Sequence, residues 1–406
     1  MKVVFLQELI FIFNLGYLIC NLALANDDSS TLKLLQIVQR HADRTPLEFY
    51  SNDPYKNSSN WPDGFGQLSL NGKKRMFLIG TKTKQRYLNY LKYVTPRDVY
   101  ARSSAAERCL ESASVFTASL IQPVTDSNNR SWIWDTEKNF SSVWQPIAIN
   151  TIDKTQDGLL VTSANCSAAN LAWQQVMQSD EVKNYLKENR KFIDDLEKHT
   201  GDKYTGLRPL EFLSNTLRVE REFGFKMPEW ANNTIIDKLR KFELHAFKFD
   251  WSTEKIQRLR CGLLIGELIN NMKNYVNNKS IKKLFIYTTH DVLMITLMQA
   301  LGIYNDNPPG YGGALLFELH QTNDKRFIIK LFFANEIQFD QLEPELKTQE
   351  FKLPKCNSGK QCNLDEFEKS VKTLIPSNWI EECRSNSRFS LQFNWILLII
   401  AKFIWF

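Results

Sequence analysis

Apolar and polar positions follow several rhythms along this chain, and the changes of rhythm divide it. Leu34 to Gln39 and Lys283 to Thr289 (KLFIYTT) are largely apolar runs, the pattern of strands buried on both faces of a parallel sheet. Asp98 to Arg102 (DVYAR) reads as a short strand, and Trp144 to Ile152 (WQPIAINTI) as another with Pro146 near its start. Two helices are expected between these strands. Leu70 to Tyr93 carries Gly72 and Gly80, which lower its propensity, and Ala105 to Ile121 gathers Leu110, Ala113, Val115, Phe116 and Leu120 on one broad face. Gly313 to Gln321 and Arg326 to Asn335 alternate as a hairpin or sheet edge does.

From about Asn165 to Asn277 the pattern is helical only: Ala168 to Asn189, Lys191 to His199, Gly206 to Glu222, Asn233 to Phe247 and Thr253 to Asn277. No strand alternates with these helices, so the segment reads as an insertion covering a sheet. The expected fold is α/β, a central mostly parallel sheet flanked by helices. Its core comprises residues 26–152 and 281–383, with a mostly helical cap at 153–280. Val292 to Leu301 is apolar at nearly every position, hence buried on most sides, and Gly302 is its expected stop. Lys352 to Cys383 reads as a loop-rich tail held by cysteines.

Composition adds a compartment. The 406 residues are 43% hydrophobic and 24% charged with a net charge of +6, and no long Lys/Arg tract exists, which argues against a nucleic-acid partner. Lys2 and the apolar Val3 to Ala25 form an expected signal peptide (residues 1–25) cleaved before Asn26, with Glu8 atypical. Cys20 leaves with it. The remaining Cys109, Cys166, Cys261, Cys356, Cys362 and Cys383 suit three disulfides, though six cysteines allow fifteen pairings. Glycosylation sequons at Asn57, Asn129, Asn139, Asn165, Asn232 and Asn278 suit the same secretory pathway. Residues 391–406 are almost wholly apolar but shorter than the ~20 residues that span a bilayer. A cleaved glycolipid signal, a short membrane anchor and a tail folded onto the protein all compete, so secreted, lysosomal and membrane-tethered fates stay open.

The chemistry sits at strand ends. Arg40-His41-Ala42-Asp43-Arg44-Thr45-Pro46 closes the first strand, Arg102 the second, and His290-Asp291 the strand ending at Thr289. A parallel sheet brings such ends together. Arginine forks pair with phosphate oxygens, and an imidazole among them can carry a phosphoryl group. No phosphate-cradling GxxxxGK loop and no compact metal motif appears, so neither a metal nor a cofactor is expected.

These segments resemble the histidine acid phosphatases, through the RHGxRxP signature at Arg40 to Pro46, the GxGQL stretch at Gly64 to Ser69 and the HD pair. The resemblance implies His41 as nucleophile, Asp291 as general acid, and Arg40, Arg44, Arg102 and His290 as phosphate clamp, acting on a small phosphomonoester. It also implies a homodimer and the bridges Cys166 to Cys383, Cys356 to Cys362 and Cys109 to Cys261. Two departures stand out. Ala42 replaces a glycine, which would be strained at positive φ, and Ala105 replaces an aspartate in the RSTDxDR-like Arg102 to Arg108. Two rivals remain: a phytase or other inositol-phosphate phosphatase, and a secreted binding protein that kept the scaffold without turnover.

Overall fold

The computed structural model describes residues 31–121, 145–335, 337, 345–354, 356 and 362–384. The strands are β1 (Leu32–Arg40), β2 (Val99–Ser103), β3 (Ile149–Asn150), β4 (Leu284–Thr289), β5 (Ala314–Gln321), β6 (Phe327–Ala334), β7 (Thr348–Phe351) and β8 (Cys362–Asn363). The helices are α1 (Leu70–Arg86), α2 (Leu88–Leu91), α3 (Glu107–Leu120), α4 (Ser167–Met177), α5 (Asp180–Glu188), α6 (Arg190–Thr200), α7 (Leu207–Glu222), α8 (Asn233–Asp250), α9 (Glu254–Val276), α10 (Asp291–Ala300), α11 (Leu364–Val371) and α12 (Trp379–Cys383). The segments 1–25 and 391–406, with Cys20, Asn129 and Asn139, lie outside the described residues.

The sheet runs β3-β2-β4-β1-β5-β6-β7, with β8 also on β6. β3, β2, β4 and β1 are mutually parallel, whereas β5 returns antiparallel beside β1 and β6 and β7 continue antiparallel. This is the expected α/β architecture, and its site-bearing half is the parallel one. Of the described residues 145–152, only Ile149 and Asn150 pair, against β2. Within β1, alternation sends Leu34 and Val38 to one face and Leu35 and Ile37 to the other. The amides of its buried glutamines both donate: Gln36 to the Leu268 carbonyl at 2.8 Å and Gln39 to Thr288 Oγ1 at 3.0 Å.

One face packs α1 and α3, the other α9, α10 and α11. Gly72 and Gly80 weaken α1 locally but make its packing possible. A Cβ at Gly72 would strike the carbonyl of Asp43 in the loop after β1, and one at Gly80 would strike Ser119 and Phe116 of α3. The helix starts at Ser69, whose hydroxyl accepts from the Gly72 N–H at 3.1 Å. It stops at Arg86, short of Tyr93.

The helices α4 to α8 surround a separate core of Val182, Ile193, Leu196, Leu210, Leu217 and Phe242, which Tyr50 from the loop after β1 joins. The expected helix over 168–189 is two, because Ser179 caps the second by accepting from Val182 N–H at 3.4 Å. α9 differs from its predecessors: Leu264, Ile265, Leu268 and Met272 pack into the sheet's own core. So do Leu364, Phe367 and Val371 of the tail, which is thereby more than a loop.

Cys166 is bridged to Cys383 and Cys356 to Cys362. The expected bridge between Cys109 and Cys261 is absent; both are buried free thiols. The sheet itself separates them. α3, which carries Cys109, packs on the Leu35/Ile37 face, and Cys261 on α9 joins the Leu34/Val38 face. A disulfide needs Cα atoms within about 7 Å. Of the sequon asparagines, Asn57, Asn165, Asn232 and Asn278 are exposed. Among the described residues no helix is long and apolar enough to cross a membrane.

Candidate active site

Strand register assembles the site. Arg40 is level with Thr289 across β1 and β4, and Ser103 with Thr288 across β2 and β4, so three carboxyl ends open side by side. The chain leaves β1 at His41, whose N–H donates to the Thr289 carbonyl at 2.9 Å and whose carbonyl accepts from Gly312 N–H at 3.2 Å. A buried imidazole (2% exposed) is thus fixed by its backbone on two sides.

The ring of His41 is fixed as well. Nδ1 lies 2.8 Å from the carbonyl of Ala42, which can only accept, so Nδ1 carries the proton and Nε2 keeps its lone pair. Burial first, then the charges of Arg108, Arg40, His290 and Arg44, pushes its pKa well below the ordinary value. Burial and these charges favour the neutral imidazole over the protonated one. Ala42 is fully buried and does not adopt positive φ, so alanine in the glycine position carries no backbone strain.

Arg40 spans the site. Its Nη2 pairs with Asp291 Oδ2 at 2.6 Å, Nη1 donates to the Pro309 carbonyl at 2.9 Å, and its guanidinium lies 4.4 Å from the Tyr311 ring centre. Arg44 donates to the Thr45 carbonyl at 3.1 Å and to Asn215 Oδ1 at 3.0 Å, and burial brings its pKa down to about 10. His290 is itself the N-cap of α10, and Thr289 before it donates to the Leu160 carbonyl at 2.7 Å. Nδ1 of His290 faces Arg108 Nη2 at 3.4 Å and so accepts, leaving Nε2–H to donate to Ser104 Oγ at 3.0 Å. Burial and Arg108 hold His290 below its ordinary pKa. Burial pushes the Asp291 carboxyl up, but Arg40 and Arg44 outweigh it and hold it below the usual carboxylate range.

One expected member is elsewhere. Arg102 shares its face of β2 with Tyr100 and ends on the fully buried Asp157 at 2.7 Å. Arg108, the second residue of α3, is the arginine that meets His290. With alanine at 105, its described partners are His290 and the Gly66 carbonyl, the latter at 3.4 Å, and its Nε is buried without an acceptor. The signal for Arg108 was the second arginine of the same motif. Ser104 lies inside that motif too, whereas Tyr311 and Asn215 had none. Arg44 Nε is likewise buried without an acceptor, so the site holds cationic donors short of an anion.

The description that matches this chain, over residues 31–334, is the histidine phosphatase superfamily (branch 2), and the chain belongs to that family. Among curated relatives, rat prostatic acid phosphatase is 32% identical, covering 92% of this chain and 94% of that one. Bovine lysosomal acid phosphatase is 29% identical, over 87% and 80% respectively. Solved phytases share the fold: that of Citrobacter braakii has a TM-score of 0.62 at 17% identity, covering 88% of this chain and 100% of that one. The apo Hafnia alvei phytase has a TM-score of 0.64 at 14% identity, over 87% and 98%.

Proposed function

We propose that the chain is an acid phosphatase that hydrolyses phosphate monoesters through a phosphohistidine at His41. The observation that carries this is the bond from His41 Nδ1 to the Ala42 carbonyl, which aims an unprotonated Nε2 among Arg40, Arg44 and Arg108. Phosphoryl transfer asks a protein chiefly for in-line placement and stabilised equatorial charge. Nε2 attacks phosphorus, the P–O ester bond breaks, and Asp291 gives the departing oxygen its proton. Water then attacks the phosphohistidine, Asp291 takes a proton back, and inorganic phosphate leaves.

The free site holds Asp291 ionised on Arg40. A bound phosphate draws on the same guanidinium charge, which raises the Asp291 pKa toward that of an acid able to donate. Arg40, Arg44, Arg108 and His290 form the clamp in this reading, and no step needs a metal ion. The names of the relatives, the two disulfides and the exposed sequon asparagines support a secretory-pathway setting, lysosomal or secreted.

The test is a pH–rate profile on an aryl phosphate, with chelator present, for wild type and His41→Ala. Turnover should persist below pH ~6.5, because depression of the His41 pKa moves its protonation to lower pH. His41→Ala should lose at least ~10³-fold. Quenching in alkali during turnover should leave an alkali-stable, acid-labile phosphoryl group on the wild type alone. A His41→Ala enzyme as fast as wild type would end this reading.

A further inference from the structure

The search for unassigned chemistry leads to the contact between the catalytic loop and the helical insertion. Arg44 is 6% exposed, and one of its partners is Asn215 of α7, 171 residues away in sequence. A guanidinium has only donors, so the contact fixes Asn215 with Oδ1 toward Arg44. Asn215 in turn sits between two anchored neighbours. Ser214 donates to Glu243 Oε2 at 2.9 Å, and Thr216 donates to the Glu48 carbonyl at 2.7 Å, on the loop that carries Arg44. The helix is thereby registered to the loop where Asn215 reaches across.

The chemistry of the partner matters as much as its place. Arg75 is held by Asp43, Arg102 by Asp157 and Arg218 by Glu243, all carboxylates. At Arg44 an amide oxygen gives the same directional bond without neutralising the charge. We propose that Asn215 is a positioning residue for phosphate capture, aiming Arg44 while leaving its positive charge for the phosphoryl oxygens. The proposal rests on Arg44 belonging to the phosphate clamp.

Aspartate separates this role from a structural one, because Asp keeps, and even strengthens, the bond to Arg44 while cancelling its charge. The probe is inorganic phosphate, measured by calorimetry and as an inhibitor of aryl phosphate hydrolysis, on the whole chain. Asn215→Asp should keep the wild-type Tm or exceed it and bind phosphate about ten-fold more weakly. Asn215→Ala should weaken phosphate and raise KM by about five-fold. Either variant keeping wild-type phosphate affinity overturns the proposal, as does an Asn215→Asp variant that loses affinity only together with Tm. Calorimetry requires no turnover, so a failure of the phosphohistidine reading, seen with His41→Ala, stays distinct from a failure here.

Discussion

Arg44 and Arg108 at the proposed phosphate site, and Arg218 and Arg240 on α7 and α8, are all arginines, yet they keep different company. Arg218 and Arg240 converge on Glu243 at 3.3 and 2.6 Å. Burial pushes that carboxyl up, but the two cations outweigh it and keep it ionised below its ordinary pKa. Arg44 and Arg108 have carbonyls, an amide oxygen and an imidazole. In the insertion, charge is matched within the protein and fixes structure. At Arg44 and Arg108, unlike Arg40 with its Asp291, it is left unmatched, which costs stability and creates demand for an anion.

The sharpest way to break this contrast compares Arg108 with Arg102, neighbours in sequence on opposite sides of it. Arg108→Ala should lower kcat/KM by about 10²–10³-fold on an aryl phosphate while leaving the urea midpoint unchanged or higher. Arg102→Ala strands the buried Asp157 carboxylate and should cost about 3 kcal/mol in urea unfolding, with kcat/KM changed only a few-fold. Exchange of these two phenotypes would dissolve the distinction.

A second, smaller effect concerns carboxyls without any arginine. Asp53, on the loop after β1, and Glu220, on α7, are buried in hydrogen-bonding contact near Tyr50 and Tyr204, and burial raises both pKa values. Two carboxyls can share that bond only when a proton is present. Their folded pKa values are raised, so the contribution is complete below the unfolded value of ~4 and is lost as pH rises through the folded values. Thermal stability should therefore fall from pH 5 to pH 8, and Glu220→Gln, which supplies a permanent donor, should flatten that slope by on the order of 1 kcal/mol. An unchanged slope would show that the pair is not proton-linked.

The smallest effect is chemical. Cys109 and Cys261 should resist thiol reagents in the native protein and react once it is unfolded without reductant. Burial drives both thiols up, Cys109 to about 12, and Cys109 also packs 3.8 Å from His290. Recovery of a peptide linking the two cysteines would contradict the sheet's separation of them.

The sequence carried the two apolar strands β1 and β4 and the charged residues at their ends, because a strand buried on both faces has little room for polar side chains. It could not choose between Arg102 and Arg108. That choice depends on which way a strand residue points and on how far the next helix has turned. The pairing of Cys109 with Cys261 failed for a related reason, since the pattern of α3 and α9 does not say which face of the sheet each covers. α9 reads like the helices before it but packs on the sheet, because apolar periodicity reports burial and not the burying partner. Asn215 and Tyr311 were invisible, being ordinary residues whose meaning comes from a neighbour far along the chain.

The bridge from Cys166 to Cys383 closes a loop of sequence separation 217 and returns the end of the described chain to the start of α4. A protease that severed the backbone anywhere between β5 and α12 would release nothing, since the severed piece would stay covalently tied and still packed through Phe367 and Val371. The nicked molecule would run whole on a non-reducing gel and as two fragments after reduction. A hydrolase built this way can be cut and remain one particle, a form of durability suited to surroundings rich in proteases.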